Sequence, residues 1–470
     1  MRAWLTVSRW VFVLLAVCTG ASAVYAAEES RRVEEKARQA LDPKTLAILE
    51  GERRVAFDYG VWINYLATDY VNDDNDRAAP DATDAIYSLD QRVWFRFTMR
   101  PDRDVESVAR EHSLYLRLKD RHTWSDPSTA NGHHDEDGPH LDYLFVSLDQ
   151  RPYYWQIGRR LYGVGQGLAY SNVGDGVELL ASFPTWSVMG FAARSLPHAP
   201  NADQSVPDSK NSGRTFVGVE GRYIGIVRHG LYAYAVAQRD DGEESPEDPA
   251  QDYDYNSEYA GVGSEGTLIG GVRYVAEAML ETGTSFTSVT NQEQDIRAWA
   301  TDVSVTYDVQ APMQPTLYAE YAFGSGDEDR TIVTDTIGGN TVGDDTNFLY
   351  FGYLPTGYAL SPLLSNLHMV KIGAAIQPLE RVSWLSLKEL SISLDYYRYR
   401  KDEAAGGIFD FDATAADRDI GHEIDLTLSW RVLSDLSLSV EYGRFQPGEA
   451  YASSANDSSE YLAVGATMTF

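Results

Sequence analysis

The feature that most restricts the fold is a two-residue period. In Val93-Trp94-Phe95-Arg96-Phe97-Thr98-Met99 every odd position is apolar, while the even positions mix aromatic, polar and charged side chains. Successive side chains of an extended strand point to opposite faces, so this segment has one oily face and one wet face. Leu114, Leu116 and Leu118 oppose Tyr115, Arg117 and Lys119 in the same way, and Leu390, Ile392, Leu394 and Tyr396 oppose Ser391, Ser393 and Asp395. Ile424, Leu426, Leu428 and Trp430 alternate with Glu423, Asp425, Thr427 and Ser429, and Leu436, Leu438, Val440 and Tyr442 with Ser437, Ser439, Glu441 and Gly443. These are amphipathic strands, because a helical period would scatter the same apolar residues around an axis.

Soluble sandwiches also alternate, so the connections must discriminate. About eighteen candidate strands fall near 54–66, 90–100, 111–120, 141–149, 153–159, 175–182, 185–195, 213–223, 229–239, 255–264, 268–280, 294–308, 314–324, 367–377, 388–400, 420–431, 434–444 and 460–470. Every second connection is long, polar, acidic and glycine-rich: 67–89, 121–140, 160–174, 196–212, 240–254, 283–293, 325–366, 401–419 and 445–459. Most of the others are tight, such as Asp149-Gln150-Arg151-Pro152, Phe183-Pro184 and Val432-Leu433-Ser434. This is the layout of an all-β, transmembrane antiparallel β-barrel of about 18 strands, with long extracellular loops and short periplasmic turns. An even strand count permits closure, which leaves no unpaired edge in lipid. In the last segment Leu462, Val464, Ala466, Met468 and Phe470 share one face, and the sequence stops on Phe470. A last strand with a terminal Phe resembles the signal read by bacterial barrel-assembly machinery. That machinery, outer-membrane lipid and lipopolysaccharide are the expected partners, in the outer membrane of a Gram-negative bacterium.

Composition supports this class. With 43% apolar residues in 470, disorder is excluded as the main state. A single Cys, Cys18, excludes an intrachain disulfide scaffold and Cys-rich zinc or iron–sulfur modules. Arg2 and Arg9 precede the apolar run Trp10 to Cys18, followed by Ala21-Ser22-Ala23 and Val24-Tyr25-Ala26. Residues 1–26 are therefore read as a cleaved signal peptide, cut after Ala23 or Ala26. Residues 27–53 form a periplasmic N-terminal arm, with Val33, Ala37, Ala40 and Leu41 at helical spacing; it is a short helix or a plain connecting leader. Residues 54–470 form the barrel. No later stretch of about 18 apolar residues occurs, which removes a helical span. A net charge of −31, from 39 basic against 70 acidic residues, leaves no basic stripe for nucleic acid.

Parity assigns the inner face. If Val93, Phe95, Phe97 and Met99 contact lipid, then Arg92, Arg96 and Arg100 point into the lumen, as do Arg117 and Lys119; Lys371 joins them if Val370, Ile372 and Ala374 face lipid. Glu220, Glu320, Asp395, Glu423, Asp425 and Glu441 would share that lumen. A barrel of this size is too wide for its wall side chains to fill, so charges there can line a watery path. One reading is a lattice of ion pairs that stiffens the wall. The sharper one is an electropositive constriction that attracts an anionic solute. Tyr59, Trp62, Tyr65, Trp155, Trp186, Tyr223, Trp299, Tyr307, Tyr396, Trp430 and Tyr442, taken together, suit interfacial girdles.

Tyr154-Trp155-Gln156-Ile157-Gly158-Arg159-Arg160-Leu161-Tyr162-Gly163, followed by Gly174-Asp175-Gly176-Val177-Glu178-Leu179, resembles the strand–loop–strand signature of the alginate export family of outer-membrane barrels. That family usually shows a Gly-Arg-Gln run and then an Asp-Gly pair; here Arg160 stands in place of Gln and adds charge. Leu360 to Leu367, Glu423-Ile424-Asp425 and Gly443 to Gly448 are similar to further family positions. The resemblance spans roughly 54–470. It implies an eighteen-stranded channel for a secreted anionic polysaccharide, with lumenal Arg residues as the selectivity element and passive, electrostatically selected diffusion as the mechanism. Arg159 matches the motif, whereas Arg96 and Arg117 come from parity.

The candidate pore-lining set is thus Arg92, Arg96, Arg117, Lys119, Arg159, Arg160, Lys371, Glu423 and Asp425, with no cofactor, metal or catalytic group expected. Against a polyuronate stand acidic loops, with Asp69, Asp73, Asp74, Asp76, Asp81 and Asp84 in one and Asp240, Asp241, Glu243, Glu244, Glu247, Asp248, Asp252 and Asp254 in another. Such a rim repels a polyanion over a screening length of roughly 8 Å, unless divalent ions bridge it to lipopolysaccharide phosphates. His133, His134, Asp135, Glu136, Asp137 and His140 share one loop without the supporting shell a metal site needs. His112 and His422 fall on lipid-facing positions, the wrong side for catalysis, and no Gly-x-Ser-x-Gly elbow or phosphate loop occurs. Two functional readings remain: an exporter that docks a periplasmic secretion scaffold, or a substrate-selective or general diffusion porin for uptake of small solutes, with loop 325–366 folded inward as a plug.

Overall fold

The computed structural model describes residues 55–71, 85–99, 111–125, 134–196, 213–241, 255–287, 292–330, 333, 340–382, 385–410 and 412–470. The signal peptide, the N-terminal arm, Arg100, His133 and most of the acidic loop residues lie outside them.

Eighteen antiparallel strands follow one another: β1 (Val55–Val71), β2 (Ile86–Met99), β3 (His112–Ser125), β4 (His134–Gln150), β5 (Tyr153–Gly163), β6 (Ser171–Ser182), β7 (Trp186–Ser195), β8 (Arg214–Ile226) and β9 (His229–Asp240) make one half. The other half is β10 (Asn256–Thr267), β11 (Val272–Thr287), β12 (Gln292–Asp308), β13 (Thr316–Gly324), β14 (Leu367–Ile376), β15 (Leu390–Arg400), β16 (Asp419–Arg431), β17 (Leu436–Pro447) and β18 (Ser459–Thr469). Each pairs with its sequence neighbour, and β1 closes the ring. Trp62–Val71 of β1 align with Thr469–Glu460 of β18, and Val55–Val61 with Met99–Val93 of β2. Phe470 N–H donates to Val61 O at 2.9 Å, so the closure runs to the last residue.

The alternation reads directly in the burial. Val217 and Val219 of β8 are 52% and 49% exposed, while Phe216 and Glu220 on either side of them are buried. Phe97, Leu114, Leu118, Val262, Leu280, Ile372 and Leu394 extend the same apolar outer face around the ring. Exposed apolar area on this scale is tolerated because it meets acyl chains instead of water. The ordered core lies inside the cylinder, where inward side chains of the upper strands pack against loop residues such as Leu168, Tyr170, Phe348 and Phe351.

All eighteen expected strands are present, but many are longer than their alternation. β4 begins at His134, where alternation begins near 141, and β11 runs to Thr287. The extensions lie at the long-loop ends, where both faces meet water or loops and backbone pairing continues without an apolar face. The connections change accordingly. The expected long loop at 283–293 shrinks to 288–291, and the connection at 377–389, on the tight side, includes a one-turn helix at Leu385–Lys388.

Candidate functional site

Most of the expected basic residues converge on the inner wall of β2–β5. Arg92 lies 4.3 Å from the Trp62 ring centroid and pairs with Asp90 at 3.0 Å. Arg117 Nε donates to Asp142 Oδ2 at 2.6 Å, and its guanidinium sits 3.9 Å over the Tyr143 ring. Asp142 can serve both arginines, with Arg92 Nε at 3.6 Å, because β4 bulges there: Arg117 is opposite Tyr143 and Leu118 is opposite Leu141, which leaves Asp142 unpaired in the ladder. Arg96 pairs with Glu111 at 2.9 Å, Lys119 with Asp137 at 3.8 Å, Arg121 with Asp90 at 3.5 Å and Arg160 with Glu178 at 2.7 Å. Arg92 and Arg117 are almost fully enclosed by these partners, whereas the side chains of Arg96 and Arg121 remain 24% and 45% exposed.

Arg159 does not join them. It sits opposite the outward-facing Leu144 on one side and Asp175 on the other, two residues from the outward Ile157. Its guanidinium holds Asp175 with two bonds, of 2.9 and 2.7 Å, on the outer face of the barrel. Counting by twos from the outward Ile157 carries this signal, and the motif does not. The two halves of the motif are nevertheless partners in space, with Gly158 facing Gly176 and Arg159 facing Asp175 across β5–β6. Gly158 has φ +129°, and a Cβ there would collide with Leu144 O, so the close approach of β4 and β5 needs glycine.

The wall on the other side uses charge differently. Glu423 on β16, fully buried, accepts N–H bonds from Tyr358 at 2.7 Å, Ala359 at 2.7 Å and Leu360 at 3.0 Å, all in loop 325–366. Glu281 on β11 accepts from Leu349 N–H at 3.0 Å and from the Tyr255 and Tyr259 hydroxyls at 2.7 and 2.9 Å. A second loop, 164–170, is held in the same fashion. Gly165 N–H donates to Glu220 at 2.7 Å, and Gln166 N–H donates to Glu277 at 2.8 Å. Tyr232 and Tyr234 complete the shell of Glu277 at 2.7 and 2.6 Å.

The two loops also bond each other: Phe351 N–H to Ala169 O at 3.2 Å and Tyr353 N–H to Gly167 O at 3.0 Å. At their contact Gly352 lies so close that a Cβ would collide with the carbonyl oxygens of Gly167 and Leu168. The long loop has internal order of its own. Arg330 pairs with Asp345 at 2.7 Å in a buried site, and burial pushes the Asp345 carboxyl above its usual range against the pull of Arg330. Together the loops make a strut across the lumen.

Asp425 faces Asp395 across β15–β16; both are buried, and neither oxygen of Asp425 has a hydrogen-bond partner among the described residues. Lys371 is opposite Glu320 and lies 5.6 and 5.2 Å from the Tyr318 and Tyr397 rings. Lys371, Glu423 and Asp425 stand at inward positions of their strands, and the loop covers Glu423. Glu277 and Glu281 are outside the set expected from sequence. Their signal was present, since Glu277, Met279 and Glu281 alternate with the outward Ala278 and Leu280. Among the described residues no three His, Cys, Asp or Glu side chains are placed to hold a metal ion. No helix of the described residues is long and apolar enough to cross a membrane.

A closed eighteen-stranded ring with an apolar outer band, a charged inner wall and inward-folded loops defines an outer-membrane channel of porin type. The chain belongs to the alginate export family, which it matches over residues 65–465. In solved structures it is similar in fold to OccK9 (OpdG) of Pseudomonas aeruginosa, with a TM-score of 0.55 at 12% identity over 88% of this chain and 98% of that one. OccK8 (OprE) of the same organism gives 0.53 at 11% over 88% and 98%. OccAB3 of Acinetobacter baumannii gives 0.51 at 12% over 88% and 99%. No curated protein matches the sequence.

Proposed function

We propose that the barrel passes an anionic (exo)polysaccharide or related solute by passive diffusion along the guanidinium-rich wall of β2–β4. The observation that carries this reading is the convergence of Arg92, Arg96, Arg117, Lys119 and Arg121 on adjacent inward positions, two of them partly open to water. Their carboxylate partners reduce the net charge. Even so, a solute carboxylate about 4 Å from a guanidinium gains about 4 kcal/mol at an effective dielectric of 20, against about 1 kcal/mol in bulk water. The contacts that pin the loops run to β8, β10, β11 and β16, away from this wall. Family membership supports a polysaccharide cargo.

A second reading, uptake of small solutes, is favoured by one observation: loop 325–366 runs inward and bonds loop 164–170, which narrows the lumen. Two partner assignments go with the barrel, of which only the scaffold belongs to the export reading. The Phe470 side chain, 66% exposed at the short-turn rim, suits recognition by assembly machinery, and the short turns suit a periplasmic scaffold.

Single-channel recording in planar bilayers under a salt gradient tests the proposal. An anion-selective reversal potential that collapses in Arg96→Glu is the expected result. Cation selectivity in the native channel, unchanged in the variant, would overturn it.

A further inference from the structure

The short-turn rim is uneven. The connections at 151–152, 183–185 and 227–228 are minimal, whereas 309–315 between β12 and β13 and 377–389 between β14 and β15 are longer and joined to each other. Gln377 N–H donates to Met313 O at 2.7 Å, and Val309 N–H to Pro315 O at 2.8 Å. Between these turns and the inner wall lies a cavity of about 590 Å³. That is inside the roughly 300–1,000 Å³ range of small-molecule sites. Its floor is Thr316, Ala375 and Ser391, inward positions on β13, β14 and β15 that lead up the wall toward Glu320, Lys371 and Asp395. The cavity therefore opens on the lumen at its periplasmic mouth.

The turn that forms one side is strained. Met313 and Gln314 sit at φ 66° and 45°, the left-handed region that residues with side chains hold only when their surroundings enforce it. Here Met313 N–H, then the Gln314 amide and Arg381, converge on Glu380 and hold its carboxyl below the usual range. Charge around the cavity cancels locally: Asp308 pairs with Arg273 at 3.0 Å and Glu380 with Arg381 at 3.2 Å. What remains is a set of carboxamides, Gln310, Gln314 and Gln377, each offering donors and an acceptor in one plane, beside the flat apolar faces of Pro312 and Pro315. Those groups match paired hydroxyls and a sugar ring face, and they are indifferent to net charge.

We infer that this cavity is a saccharide-binding site, the first to hold a glycan as it enters the barrel from the periplasm. The inference rests on the reading that the cargo is a polysaccharide. It adds that capture at the mouth reads hydroxyl groups, while the arginine wall reads charge.

The test adds a neutral glucose hexasaccharide or a uronic-acid hexasaccharide to one side of a single oriented channel and scores current interruptions. Both should interrupt the current from the short-turn side at an about tenfold lower concentration than from the long-loop side. The apparent Kd of the neutral hexasaccharide should hold between about 0.1 M and 1 M salt, over which screening shortens from about 10 to 3 Å. Gln314→Ala combined with Gln377→Ala, and independently Ser391→Trp, which fills the cavity, should each raise that Kd about tenfold. Far-UV circular dichroism and heat-modifiable gel migration verify that each variant is a folded barrel. Interruptions by the neutral hexasaccharide that persist in both folded variants, or that vanish at high salt, would overturn the cavity assignment and leave the polysaccharide reading standing. A conducting channel that neither hexasaccharide interrupts from either side would overturn the polysaccharide reading, and the cavity with it.

Discussion

The arginine wall of β2–β4 and the carboxylate wall of β8–β16 contain the same kinds of residue at the same parity, yet they do different work. On the first wall, both members of each ion pair belong to that wall or the rim beside it. Arg117 and Arg92 share Asp142, and the guanidinium surface that stays open belongs to Arg96 and Arg121. On the second, the carboxylates spend their lone pairs on loop backbone, three N–H groups on Glu423 and one main-chain N–H plus two hydroxyls on Glu281. A carboxylate satisfied in this way is a fastening for the loop and is closed to a passing ion. Inward orientation alone does not make a residue part of the pathway; the identity of its partner decides.

The comparison can be broken at four points. The largest effect is expected for Glu423→Ala, which strands three N–H groups that each form a charge-assisted bond worth about 1.5–3 kcal/mol. Release of residues 358–360 should raise single-channel conductance several-fold, and an unaltered conductance would mean the segment is held elsewhere. Among the described residues, Arg117→Ala leaves Asp142 with the longer ion pair to Arg92. Breaking a largely buried pair costs about 3–5 kcal/mol, visible as a lower urea midpoint for unfolding. Arg96→Glu, whose side chain is partly open to water, should cost little stability but shift the reversal potential toward cations. The smallest effect belongs to Arg159→Glu. Its partner Asp175 is on the outer face, so no change in selectivity is expected. A change in selectivity there would show that the outer-face assignment is wrong.

Where lipid imposes a rule, the sequence is transparent. The apolar stripe of Val93 to Met99 or of Leu390 to Tyr396 exists because acyl chains demand it, and those strands can be read off by counting. The extracellular extensions such as His134–His140 are opaque, since paired backbone in water needs no particular side chain. The same limit applies to the site. Arg92, Arg96 and Arg117 follow from parity on their own strands. The roles of Glu281 and Glu423 depend on loop residues 68 and 63 to 65 positions away, and no local pattern records such a contact. Arg159 shows the opposite hazard, in which a motif match carried more weight than the strand's own parity.

The closure of β1 on β18 has a kinetic consequence. Every other pairing in the ring joins strands that follow one another, so seventeen hairpin steps can zip locally, and one alone must bring Trp62 beside Thr469. Chain-closure entropy rises only slowly, by about 0.6 kcal/mol per doubling of loop length, but long-range contacts set the pace of folding. The slow step therefore belongs to wherever the chain happens to be cut. A circular permutant that joins the ends near Val55 and Phe470 and opens the loop at 401–418 should build the same wall, with β15 and β16 as its last partners to meet.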